Sequence, residues 1–231
     1  MRRVYRAVSV APTDTGWRIF LDQRQLQTPA NAALVLPTRT LAEAIAAEWD
    51  AQKDRILPAS MPLMRLAATA MDRVEPQREK VIEEIADYAA TDLVCYRADH
   101  PADLAARQHA IWQPLIDWAT LQFDAPLMVT TGVLPRAQAP EALAAIRRAV
   151  AAFSPLPLTA LHAATTAAGS VVIGLALMHR HVDADDAWQA SQLDESYQIE
   201  KWGEDPEAAA RRAELRRDLE ATARFIALLQ S

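Results

Sequence analysis

Between Leu193 and Pro206 the chain sets five acids, Asp194, Glu195, Glu200, Glu204 and Asp205, among Tyr197, Ile199 and Trp202. Acids at this density, with two large aromatics among them, do not read like an enzyme's site and suit a basic protein surface. On a 3.6-residue period Trp188, Glu195, Ile199 and Trp202 fall on one helical stripe, so Glu195 shares a face with residues that seek burial. Desolvating an unpaired carboxylate costs several kcal/mol or forces a large pKa shift. Two readings follow: Glu195 is held by an internal Arg or Lys or lies on a solvated helix edge, or it faces a groove that a partner fills.

Other residue types that do chemistry give weaker patterns. His179-Arg180-His181, followed by Asp183, Asp185 and Asp186, gathers metal-ligand types. A helix would splay the two imidazoles by about 200°, so the segment reads as an exposed helix end leading to the next cap. His162 reads as a core or edge histidine. Five glycines assemble neither G-x-G-x-x-G nor a P-loop, and Gly169-Ser170 through Gly174 lacks the G-x-S-x-G spacing. Ser170 is expected to cap a helix. No catalytic, cofactor or metal site is expected.

A net charge of −6 and a pI near 5.4 argue against nucleic acid, which requires a basic face to displace counterions. The runs Arg211-Arg212 and Arg216-Arg217 lie among Glu207, Glu214, Asp218 and Glu220, the mixture of a solvated helix face. One cysteine, Cys95, excludes an internal disulfide and reads as a core residue of a chain kept in a reducing compartment. The longest apolar run, Val171–Met178, is far short of the ~20 residues that span a bilayer, so a buried helix and no membrane insertion are expected. The basic start, Met1 to Arg6, lacks the apolar run of a secretory signal and passes at once into a strand pattern.

These residues need elements to position them. Tyr5–Val10 and Trp17–Leu21 are aromatic and β-branched around the turn signal Thr13-Asp14-Thr15-Gly16, which predicts a hairpin. Leu26–Thr28 and Ala33–Leu36, bounded by Pro29 and Pro37, add edge pieces. From Thr38 the period changes to 3.6: Thr38 caps a helix carrying Leu41, Ile45, Glu48 and Trp49 and ending near Lys53. Pro58 and Pro62 interrupt the chain there. Helical patterns follow over 63–73, 76–90, 104–121, 140–152, 156–167, 170–178, 183–202 and 206–229, the last with Glu220 and Arg224 as a flanking pair. The fold class expected is α+β: a small antiparallel β domain with one helix, residues 1–58, then a larger all-helical domain, 59–231. Of six tryptophans, Trp112 and Trp118 are expected in the helical core, while Trp49 and Trp202, beside carboxylates at helix ends, suit an interface, Trp49 either in a client groove or at the junction of the two domains.

Several blocks then carry a resemblance. Ala46-Ala47-Glu48-Trp49-Asp50-Ala51-Gln52, Met61-Pro62-Leu63, Leu66 through Asp72, Tyr88 with Thr91 through Tyr96, Trp112-Gln113-Pro114-Leu115, Gly169-Ser170 and the Leu193–Gly203 block occur in the order found in the assembly chaperone of the ATP synthase F(1) sector that handles the alpha subunit. The chain resembles that family over nearly its whole length. The resemblance implies a non-enzymatic role without cofactor, in which an unassembled alpha subunit is held, and its beta-facing interface capped, until a beta subunit replaces the chaperone. Members of that family occur in the mitochondrial matrix and in bacteria; the sequence pattern, with no transit segment or long extensions, leads to the expectation of a bacterial member in the cytoplasm, monomeric when free. Glu195 and Glu200 are the acids expected at the client surface, Trp202 and Trp49 its aromatic anchors, and Asp194 and Glu204 its rim. A regulatory domain with another client, or an acid–base enzyme using Glu195 or Glu200 with His162, are the alternative readings.

Overall fold

Alternation along the first fifty residues produces a three-stranded antiparallel sheet in the computed structural model, which describes residues 2–132 and 136–230. Strand β1 (Val8–Thr13) pairs with β2 (Gly16–Leu21) so that Val10 faces Ile19, and β2 pairs with β3 (Arg24–Gln25). The expected edge pieces contribute only single bridges, Gln27 with Ala33 and Trp17 with Leu36, because Pro29 and Pro37 withhold ladder donors. Leu36 approaches Gly16 so closely that a Cβ there would stand 2.4 Å from its carbonyl oxygen, a fit only glycine allows.

Helix α1 (Arg39–Asp50) starts as its sequence predicts, with Thr38 Oγ1 accepting from the Leu41 amide at 3.2 Å. Leu41, Ala42, Ile45 and Ala46 turn to the sheet. Glu48 has a structural role as well, since its carboxylate accepts from the first amides of α2 (Pro62–Thr69), Leu63 at 2.9 Å and Met64 at 2.8 Å. Burial raises the pKa of Glu48 while those two amides lower it, an N-terminal cap supplied from another helix.

By their contacts the residues group into two compact units, Met1–Arg78 with Pro155–Ala160 and Arg224–Ser231, and Glu79–Ser154 with Leu161–Ala223. The break at Pro58 and Pro62 lies inside the first unit, which runs through α2 and a π turn at Ala70–Val74. Onward the chain forms α3 (Arg78–Ala86), β4 (Tyr96–Arg97), α4 (Ala102–Phe123), β5 (Thr130–Thr131), α5 (Pro140–Ala151), α6 (Pro155–Ala168), α7 (Val171–Met178), α8 (Ala184–Ser191), α9 (Leu193–Trp202) and α10 (Pro206–Leu229). The α+β class stands, with one addition: β4 and β5 form a two-residue parallel pair amid the helices.

The centre of the second unit is α7, every residue of which is buried. Ser170 caps it as expected, accepting from the Ile173 amide at 3.1 Å. Its hydroxyl donates to Asp92, a fully buried carboxylate that also accepts from the Val94 and Val172 amides at 3.2 Å each. Burial pushes the Asp92 carboxyl up to about 6, the hydrogen bonds opposing it. Cys95 is buried, its thiol pushed up to about 12 by the same cause. Trp112 is fully buried and donates to the Ala190 carbonyl at 2.8 Å.

Three expectations need correction. Trp118 is half-buried at an edge, stacked on His181 at 4.8 Å and edge-on to Phe123 at 5.2 Å, because its position on α4 faces the exposed end of α7. The helix predicted over 183–202 divides at Gln192 (φ −111°, ψ 21°), where Ser191 Oγ donates to the Trp188 carbonyl at 2.9 Å and competes with the helical ladder. Glu220 pairs with Arg216 at 2.9 Å, at the same four-residue spacing expected of Arg224 but one turn earlier.

Candidate interaction groove on helix α9

Helix α9 has two faces with different roles. One is strapped to α4: Gln108 Nε2 donates to Asp194 Oδ1 at 2.8 Å, Tyr197 Oη donates to Asp103 at 2.8 Å, and Arg107 Nη1 meets both oxygens of Glu200 at 3.0 and 2.8 Å. Lys201 reaches Asp103 at 3.5 Å, and Arg107 and Lys201 lie over the Tyr197 ring at 5.3 and 5.1 Å. The Tyr197 hydroxyl holds Asp103 below the usual carboxylate range, Lys201 assisting.

The opposite face carries Glu195, Ile199 and Trp202 at positions i, i+4 and i+7. With Gln198 it forms one wall of a groove of about 520 Å³, whose other wall is Ala208, Arg211, Arg212 and Leu215 of α10. Gly203 (φ 81°) ends α9 in a conformation other residues rarely adopt, and Asp205 starts α10 by accepting from the Glu207 and Ala208 amides at 2.9 and 3.1 Å. The two helices are thereby joined by a sharp turn at the end of the groove.

Arg212 braces this arrangement. Its guanidinium donates to Gln192 Oε1 at 3.2 Å, Glu204 Oε1 at 3.2 Å and Ser196 Oγ at 2.9 Å, and lies over the Trp188 ring at 5.6 Å. The basic run on α10 is thus partly spent on internal acids, Arg216 being held by Asp185 at 2.8 Å as well as by Glu220. Among the described residues the side chains of Glu195 and Arg211 make no hydrogen bond or ion pair, although both line the groove. Trp202 is 78% exposed.

The structure therefore sorts the six residues expected at the client surface. Glu195 and Trp202 are exposed together in the groove. Glu204 sits at its end, engaged by Arg212. Asp194 and Glu200 belong to the face turned to α4 and have internal partners. Trp49 lies in the first unit, edge-on to Tyr5 at 5.9 Å, with its carbonyl accepting from the Tyr5 hydroxyl at 2.7 Å, and lines a different cleft. His162 lies 3.7 Å from Glu84 and does not line the groove. Sequence reasoning missed Asp103, Arg107, Gln108 and Arg212, because their partners stand 8 to 94 positions away and periodicity reports only near neighbours. Among the described residues no helix is long and apolar enough to cross a membrane.

Comparison with known proteins agrees with this architecture. The family model described as ATP12 chaperone protein matches residues 2–120. The crystal structure of Atp12 from Paracoccus denitrificans is 42% identical and superposes with a TM-score of 0.94, covering 99% of this chain and 98% of that one. A variant of the Paracoccus protein with an aspartate-to-lysine substitution gives 0.95 at the same identity, covering 99% and 97%. A crystal structure from Agrobacterium tumefaciens, 39% identical, gives 0.93 and covers 99% of this chain and 86% of its own. With a strand-rich start, a buried α7 and an α9 strapped to α4, and with this likeness along its whole length, the chain belongs to the ATP12 chaperone family.

Proposed function

We propose that this protein binds the unassembled alpha subunit of the ATP synthase F(1) sector and covers the face that beta later occupies, using the groove between α9 and α10. Family membership supports the chaperone role, and one observation favours this groove: an unpaired carboxylate, Glu195, stands beside an almost fully exposed Trp202 on a helix whose other face is anchored. A rigid aromatic next to an unpaired charge is the composition of an interface anchor, since tryptophan brings large contact area at little entropic cost. A subunit awaiting its neighbour exposes a large interface, and exposed apolar surface promotes wrong pairing and aggregation. Covering that interface is a binding function that needs no bond made or broken. The fit is to the cytoplasm of a bacterial host.

Co-expression tests the reading. The tagged chain is produced with alpha alone and with beta alone, and the eluates are compared. Alpha is expected to co-purify and beta is not. Capture of beta alone, or of neither, overturns the assignment of alpha as client.

A further inference from the structure

We infer that the cleft of the first unit, bordered by Trp49, Met61, Met64 and Arg65, is a second binding site, for an extended polypeptide segment that carries a bulky apolar side chain and a carboxylate two residues apart. The cleft measures about 520 Å³ and lies wholly within residues 27–68. It is separate from the α9–α10 groove, and its case does not rest on the proposed client.

The floor is apolar. Met64 and Ala68 of α2 stand at i and i+4, and with Met61, the residue just before the helix, they line the cleft together with Trp49 and Ile56. Methionines suit a site that must adapt to an apolar side chain, because their unbranched stems re-pack at little cost. Leu57, next to the lining residue Ile56, is 59% exposed, so apolar surface continues past the rim.

Beside Met64 on the first turn of α2, Arg65 also lines the cleft. It is exposed, and among the described residues its side chain makes no hydrogen bond or ion pair. Glu48 feels it only through longer-range attraction, because that carboxylate is already engaged by the Leu63 and Met64 amides. A guanidinium above an apolar floor, with no acid of its own, is complementary to an incoming carboxylate.

The remaining wall indicates a polypeptide. Gln27 and Asn31 line the cleft with side-chain amides that have no partner among the described residues, and such amides can meet the N–H and C=O groups of an extended chain. That wall is held in place: Asp72 accepts from Thr28 Oγ1 at 2.5 Å and from the Ala30 amide at 3.1 Å. In an extended segment residues i and i+2 point the same way, so one reaches the floor while the other meets Arg65 at the rim.

The test uses the full chain and acetylated, amidated hexapeptides titrated by calorimetry. One contains Leu-Ala-Glu, a second Leu-Ala-Gln, and dodecanoate serves as an apolar body with a carboxylate but no amides. Saturable binding of the glutamate peptide is expected, roughly three- to tenfold tighter than the glutamine peptide, the worth of a charge-assisted contact at a partly exposed rim. In Arg65→Gln that preference disappears, whereas Arg24→Gln, on exposed β3, keeps it. Equal affinity for the two peptides, no saturable binding, or a preference that survives Arg65→Gln overturns the inference. Tighter binding of dodecanoate than of the glutamate peptide overturns the choice of a polypeptide.

Discussion

Arg107 holds Glu200 through both carboxylate oxygens, at 3.0 and 2.8 Å, and so fixes which face of α9 is free. Five residues earlier Glu195 looks the other way, into the groove with Trp202. Two acids that share a helix and a charge therefore have different surroundings, and charge reversal tests whether they also have different roles. Glu195→Lys is expected to keep the melting temperature of the wild type and to weaken capture of alpha at least tenfold, the scale of a desolvated interfacial charge. Glu200→Lys places a cation beside Arg107 and Lys201 and is expected to lower the melting temperature by no more than about 4 °C, since exposed pairs contribute little, with capture largely retained. Loss of folding in Glu195→Lys contradicts this division, as does normal capture by it.

Asp92 gives a pH dependence with a defined sign. Its carboxyl titrates near 6 when folded and near ~3.9 when unfolded, so between these values the folded chain keeps a proton that the unfolded chain has lost. Stability then falls as pH rises from about 4 to about 6, by about 2–3 kcal/mol from this group, and is level above. Asp22 and Asp103, whose pKa values are lowered, act in the opposite direction at lower pH. The comparison is therefore between wild type and Asp92→Asn, which is less stable overall but lacks the decline. Urea midpoints at intervals from pH 4 to 7 check this; parallel profiles of the two proteins contradict it.

Gly174 of α7 leaves room for Thr165 and Leu161 of α6. A Cβ there meets Thr165 Oγ1 at 2.6 Å, Leu161 Cδ1 at 3.2 Å and the Thr165 amide at 3.3 Å. Gly174→Ala favours the helix by its propensity yet crowds Thr165 and Leu161, and the overpacking prevails. A loss of ~1–3 kcal/mol in urea unfolding with unchanged slope is expected. A gain in stability shows that Thr165 moves aside without cost.

Trp49→Arg replaces a half-buried ring that packs edge-on against Tyr5 and whose indole nitrogen is out of reach of water. The guanidinium finds no acid in the lining of that cleft. A loss of several kcal/mol and lower soluble yield are expected, by removal of a large side chain and burial of a charge. An unchanged melting temperature places the new side chain in solvent and contradicts this expectation.

Features written in local spacing were legible in the sequence. The Thr38 and Ser170 caps, the hairpin at Thr13–Gly16 and the wholly apolar α7 follow from residues within one or two turns of each other. What periodicity could not supply is pairing over distance. Asp92 reads as a plain loop acid until Ser170 is brought to it across 78 positions. Spacing puts Glu200 off the apolar stripe that holds Glu195, but its partner Arg107 lies 93 positions away and no local pattern announces it. The division at Gln192 was hidden for another reason: Trp188, Glu195, Ile199 and Trp202 keep a helical phase across it, so an amphipathic pattern passes over a break made by one serine bonding back to its own helix.

If the chaperone holds alpha by the surface beta needs, beta and chaperone must exclude one another. The most direct measurement starts from the purified complex of this chain with alpha, immobilised through alpha, and follows chaperone release as beta is added. Release in proportion to bound beta, with no complex of all three at equilibrium, is the predicted result. A stable ternary complex, or release that does not depend on beta, contradicts the proposal.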